Sequence, residues 1–161
     1  MLKDENFRST FPPRCFDGAE EDLASLVVEV HDRLVSVKGF NPNVSQDYRE
    51  EMTGRIVSVI FSSFSTHFDF SPADRYFDIF DQIADFAMRL SRDHIFPDGN
   101  RRTTVVISMA ILHISGVVLD IEDPAEPDKN EIYLWIQDVV TGDRTKEELA
   151  QMLRDRVECY S

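Results

Sequence analysis

Basic residues are scarce in this chain: 17 lysines and arginines stand against 30 aspartates and glutamates, giving a formal net charge of -13. Such a surface repels a phosphate backbone, which argues against direct binding of DNA or RNA as its main business. Cysteine is scarcer still. Cys15 and Cys159 lie near opposite ends, with neither metal-ligand spacing nor the density of a secreted disulfide scaffold, and they read as reduced thiols of a cytoplasmic protein. Long apolar runs are missing as well. The longest uncharged stretch, Thr103 to Leu119, is short for a membrane span and carries His113 and Gly116, so no membrane partner is expected. The opening Met1-Leu2-Lys3-Asp4-Glu5-Asn6 is too polar to read as a secretory signal, and no repeat or low-complexity tract is visible.

What is present suits one folded domain. The chain has 161 residues, of which 42% are hydrophobic and twelve are phenylalanine; a chain of this size buries roughly 70% of its unfolded surface. Residues 1–18, with Phe11-Pro12-Pro13 and little periodicity, predict an extended arm lying over the surface of a domain spanning 19–161. From Ala19 to about Val37, Leu23, Leu26, Val27, Val30, Leu34 and Val37 recur at helical spacing behind the acidic Glu20-Glu21-Asp22. The turn formers Gly39 to Ser45 predict an exposed loop, and a second helix follows from about Gln46 to Phe64. Ser71-Pro72 is a helix start, and a third helix is predicted over 72–92 on the apolar face of Phe77, Phe80, Ile83, Ala87 and Leu90. A fourth begins at or near Asn100 and runs apolar on nearly all sides to about Ser115, which predicts the buried axis of the fold. Val117 to Ile121 reads as a short extended piece. Two more helices, about 128–140 and 145–157, complete an all-α bundle, the last with Thr145 and Glu148 at capping-box spacing.

The segment between the third and fourth helices carries the chemistry. In His94-Ile95-Phe96-Pro97-Asp98-Gly99-Asn100-Arg101-Arg102-Thr103, a tight turn feeds a helix start, whose unpaired N–H groups and dipole form a site for phosphate oxygens. Gly99 permits close approach. Arg101-Arg102, the one adjacent basic pair in the chain, places two guanidinium groups in the first helical turn, where they can bind different oxygens of a polyphosphate. Asp98 supplies a carboxylate suited to Mg beside phosphates. His94, four residues earlier, offers an imidazole that ordinarily titrates near 6.5 and suits a general base. No Walker loop or kinase-type glycine loop is present.

Three other features read blandly. His31-Asp32 resembles the dipeptide of HD phosphohydrolases, but no second histidine-aspartate pair supports a metal centre, and it reads as a helix-surface pair. Arg89 and Arg92 read as a solvated helix face. His113 is expected to be packed and His67 exposed, while Phe96 reads as a core anchor fixing the turn.

The motif resembles the signature of the Fic superfamily, and specifically of its Doc (death on curing) branch, with the pattern H-x-F-x-D-[GA]-N-[KR]-R-T. The likeness extends more loosely from His31 to the last predicted helix; the N-terminal arm lies outside it. The resemblance implies a helical bundle around a buried central helix, a short flap loop or hairpin, and a transferase using ATP and Mg. It implies catalytic roles for His94, Asp98 and Arg102, phosphate binding by Gly99, Asn100, Arg101 and Arg102, and Asp98 as metal ligand. The flap that pairs with a target segment by strand addition would be Gly39, Phe40, Asn41, Pro42 and Asn43. AMP-transferring Fic proteins carry glycine where Arg101 stands and a second arginine where this chain has Val105; both departures are those of Doc. The implied reaction is transfer of the γ phosphate of ATP to a threonine of elongation factor Tu, arresting translation, with a cognate antitoxin as the other protein partner. No internal S/T-x-x-x-E-[GN] inhibitory helix is found. An AMP transferase using the same residues is the alternative, and a non-catalytic module binding a nucleotide or peptide is the second.

Overall fold

The computed structural model describes residues 5–37, 46–92, 95–96 and 100–158, and among these the regular structure is helical. Eight α-helices follow in order: α1 (Glu5–Thr10), α2 (Glu20–Val37), α3 (Gln46–Phe64), α4 (Pro72–Arg75), α5 (Ile79–Arg92), α6 (Asn100–Ile114), α7 (Glu131–Thr141) and α8 (Lys146–Asp155), with a single 3₁₀ turn at Pro127–Lys129. Pairing of extended backbone among the described residues is confined to isolated bridges, His67 with Phe70 and Leu119 with Val157. The second of these is the extended piece expected at Val117 to Ile121, tied down by Asp120 N–H to Arg156 O and Glu158 N–H to Val118 O. The all-α bundle expected from periodicity is what the chain forms.

Its centre is α5. This helix packs against α3, α6, α7 and α8, and it buries Phe80, Ile83, Phe86 and Leu90 together with the small Ala84 and Ala87, which let neighbouring backbones come close. Complete burial of a ring such as Phe80 or Phe86 contributes about 2–3 kcal/mol each. The motif helix α6 packs on α2, α5 and α7 but is less enclosed than its composition suggests. Ala110, His113 and Ile114 are exposed where its last turn leaves the bundle, so His113 is a surface residue and not a packed one.

The single helix expected over 72–92 is two. Ser71 and Asp74 cap the short α4, with the Asp74 carboxylate accepting Ser71 N–H at 2.9 Å, and Tyr76 then turns extended. Asp78 restarts the helix, its Oδ1 accepting N–H groups of Phe80 and Asp81 at 3.0 Å each. Both carboxylate oxygens of Asp78 also receive Arg154 of α8, at 2.8 and 2.9 Å, and Arg154 reaches Asp81 at 2.6 Å.

The N-terminal segment is bound more deeply than a surface arm. It opens with α1, whose Phe7 enters the core and meets Phe80 edge-on at 5.7 Å, with Phe11 completing the cluster. The buried Gln82 then exchanges hydrogen bonds with Arg14, accepting its N–H at 2.7 Å and donating to its carbonyl at 2.6 Å.

Two local features set measurable expectations. Gly142 ends α7 in the left-handed region, at φ 87°, with its N–H on Asp138 O and Val139 O. A Cβ there would touch nothing, so the whole penalty of Gly142→Ala is conformational: about 1 kcal/mol, read as a fall in Tm of about 2–4 °C. Asp85, 3% exposed, accepts Tyr76 Oη at 2.5 Å, Arg89 Nε at 3.0 Å and Lys146 Nζ at 3.0 Å. Burial pushes its carboxyl up, but these three donors outweigh that and hold it below the ordinary value of 3.8. The stability it contributes is therefore complete above the unfolded carboxyl value and lost as pH falls through the lower folded one. Asp85→Asn is expected to flatten the drop in Tm seen on acidification below about pH 4.

Candidate active site

The end of α5 and the start of α6 flank the motif. They are joined by a buried hydrogen bond from Ser91 Oγ to Thr104 Oγ1, 3.0 Å, and between them Ile95 and Phe96 are 1% and 3% exposed. Phe96 stacks flat on His31 of α2, with ring centroids 4.4 Å apart and an interplanar angle of 14°. It is the core anchor expected for the turn. His31, in contrast, is buried and not a helix-surface residue. Its neighbour Asp32 accepts Arg49 of α3 at 2.7 Å, and no group of three or more metal-ligating side chains exists among the described residues. His67 is half-buried rather than exposed, stacked on Phe61.

Of the predicted site residues, His94, Asp98 and Gly99 lie outside the described residues, as do Gly39, Phe40, Asn41, Pro42 and Asn43 of the predicted flap. The flanks of that flap, α2 and α3, border an open cleft of about 490 Å³ whose lining includes Glu29, Asp32, Arg49 and Glu50. Asn100, Arg101 and Arg102 open α6 as expected. The first turn of α6 holds no acidic residue and two arginines, the reverse of what the helix dipole favours. Each cation at such an end costs about 0.3–1 kcal/mol, and together they concentrate positive potential where an anion would dock.

The two arginines are held differently. Arg101 is half-buried, and its Nε is buried with no hydrogen-bond partner among the described residues; an unmet guanidinium donor beside a helix N-terminus suits a phosphate oxygen. Arg102 is engaged, its Nη1 and Nη2 reaching the two carboxylate oxygens of Asp123 at 2.6 and 3.4 Å. Asp123 was invisible as a site residue in the sequence: it lies 21 residues away in a proline-flanked linker with no motif around it. One turn along α6 from Arg102, Val105 is fully buried in the core cluster.

A donor set of one motif carboxylate, Asp98, with an unmet arginine N–H nearby in sequence fits Mg-bound ATP chemically, since Mg commonly takes one or two carboxylates plus phosphate oxygens. Bound there, the metal would be held by Asp98 and would offset phosphate charge. No helix among the described residues is long and apolar enough to cross a membrane.

The family model for the Fic/DOC family matches residues 22–112, more than half of the chain. Proteins of that family generally transfer nucleotide-derived groups to proteins, and typically use ATP with a divalent metal. No curated protein and no solved structure matches the chain. The matched stretch runs from α2 to α6 and takes in the whole motif from His94 to Thr103 with its two arginines: the chain belongs to the Fic/DOC family.

Proposed function

We propose that this protein is a Doc-like toxin that transfers the γ phosphate of ATP to a hydroxyl of a protein target, a threonine of elongation factor Tu by resemblance, and so arrests translation in the cytoplasm until a cognate antitoxin binds it. In this reading His94 removes the proton of the target hydroxyl. The freed oxygen forms a bond to the γ phosphorus as the bond to the β–γ bridging oxygen breaks, and ADP leaves with that electron pair. Backbone N–H groups at Gly99 and Asn100, with Arg101 and Arg102, bind the phosphate oxygens as charge redistributes. Asp98 is the Mg ligand, and residues 39–43 pair with the target segment.

The observation that carries phosphoryl over AMP transfer is the pair of departures at positions 101 and 105. Arg101 puts a long cation where AMP transferases have glycine, with a buried Nε–H that has no partner among the described residues. Val105, fully buried in the core, stands where AMP transferases carry a second arginine. The test is incubation of the protein with Mg, a bacterial extract and ATP labelled on either the γ or the α phosphate. Label entering protein from the γ position alone is expected; label from the α position would establish AMP transfer instead.

A further inference from the structure

The linker before α7 reaches back to the motif through a chain of three side chains. Asp123 Oδ1 is shared between Arg102 Nη1 at 2.6 Å and Asn130 Nδ2 at 2.6 Å. Asn130 is 1% exposed; its second amide hydrogen goes to Pro124 O at 3.0 Å, while its Oδ1 caps α7 by accepting Tyr133 N–H at 2.9 Å. A surface ion pair between two long, free side chains contributes little because each must be ordered to meet the other. Here the acceptor is already immobilised by a buried amide, and the Arg102 side chain is itself only 17% exposed.

We propose that Asp123, held by Asn130, is a positioning residue for Arg102, fixing its guanidinium in advance for the phosphates of ATP. A guanidinium has five N–H donors in a planar fork. The contact with Asp123 is made through Nη1 and Nη2, so Asp123 does not use the Nε–H donor. The arginine can therefore serve both partners at once, and phosphate binding no longer has to order a long, rotamer-rich side chain. The carboxylate's own charge weakens the local field, so the two effects oppose each other. The ordering gain is the larger if Asp123→Asn weakens ATP binding. This inference rests on the phosphate-binding role proposed for Arg102.

The test is calorimetric titration of the full chain with ATP and Mg, run on the parent protein and on Arg102→Ala, Asp123→Asn, Asp123→Glu and the double variant Arg102→Ala/Asp123→Asn, each with its Tm. Asp123→Asn is expected to weaken ATP binding about tenfold, the double variant to bind no worse than Arg102→Ala alone, and Asp123→Glu to recover part of the loss. The Tm of Asp123→Asn should stay within about 3 °C of the parent. Unchanged or tighter ATP binding by Asp123→Asn, with Arg102→Ala impaired, would overturn the positioning role while leaving Arg102 a phosphate ligand. Additive losses in the double variant would overturn it too. Parent-level binding by Arg102→Ala, or no binding by the parent, would overturn the Arg102 assignment and this inference together.

Discussion

His94→Ala is expected to lower the rate of phosphoryl transfer by about 10²–10⁴-fold, the usual contribution of a positioned general base, while ATP binding stays close to the parent value. The split follows from the division of labour proposed above. The arginines, the helix N-terminus and Asp98 lie at and after the turn and are assigned to phosphates and metal, whereas His94 precedes the turn and is assigned to the incoming hydroxyl. Phe96, two residues on, is buried and stacked on His31, so the substitution at position 94 leaves that core contact intact and is expected to remove a proton acceptor alone. Steady-state transfer rates, together with the calorimetric affinity for ATP, check both halves of the expectation. A parallel loss of ATP affinity would assign His94 to nucleotide binding.

The largest effect on stability is expected at Asp78. Its carboxylate caps α5 and pairs with Arg154, and both side chains are fully buried, at 0% exposure. Burial alone would lower the guanidinium's affinity for its proton, yet the bonds from Asp78 and Asp81 reverse this and hold its pKa above the ordinary value. Asp78→Ala removes the cap and leaves Arg154 to the half-exposed side of the network. Breaking a buried pair in this way costs about 3–5 kcal/mol, against a few tenths for an exposed pair such as Arg33 with Glu29. For a domain of this size the expected fall in Tm is about 10–15 °C, measured by thermal unfolding at neutral pH. A fall of only a few degrees would mean that Arg154 finds enough compensation in Asp81 and Gln151, which lies 3.4 Å from its Nη1.

How much of this was legible in the sequence depends on how far apart the partners lie. The helices at 20–37 and 46–64 were readable from apolar spacing alone, and the start of α8 from Thr145 and Glu148, which cap each other across three residues. The break at residues 76–78 was not, since the force that favours it is Asp78 meeting Arg154, 76 residues on. The depth of the N-terminal segment was missed for a similar reason: Phe7 and Phe11 look unremarkable until Phe80 is brought beside them. His31 was missed although a signal existed. It stands four residues after Val27 and four before Val35, both buried on α2, and reading the stripe through a histidine would have placed it inside.

For the candidate site, the order of the motif was fully legible, since a turn, a helix start and two arginines are consecutive, and the structure places Asn100, Arg101 and Arg102 at the head of α6 as the spacing predicted. What lay beyond local reading was the support. Asp123 comes from a linker that the sequence marks only as non-helical by Pro124 and Pro127, and Asn130, inside the helix expected over 128–140, is instead the N-cap of α7; their link to Arg102 exists only once α7 packs on α6.

The central claim is tested most directly by the intact mass of purified elongation factor Tu after incubation with this protein, ATP and Mg, beside a His94→Ala control. The account predicts a gain of one phosphoryl group that disappears in the control. A gain of one adenylyl group, or no gain while the protein modifies some other substrate, would contradict it.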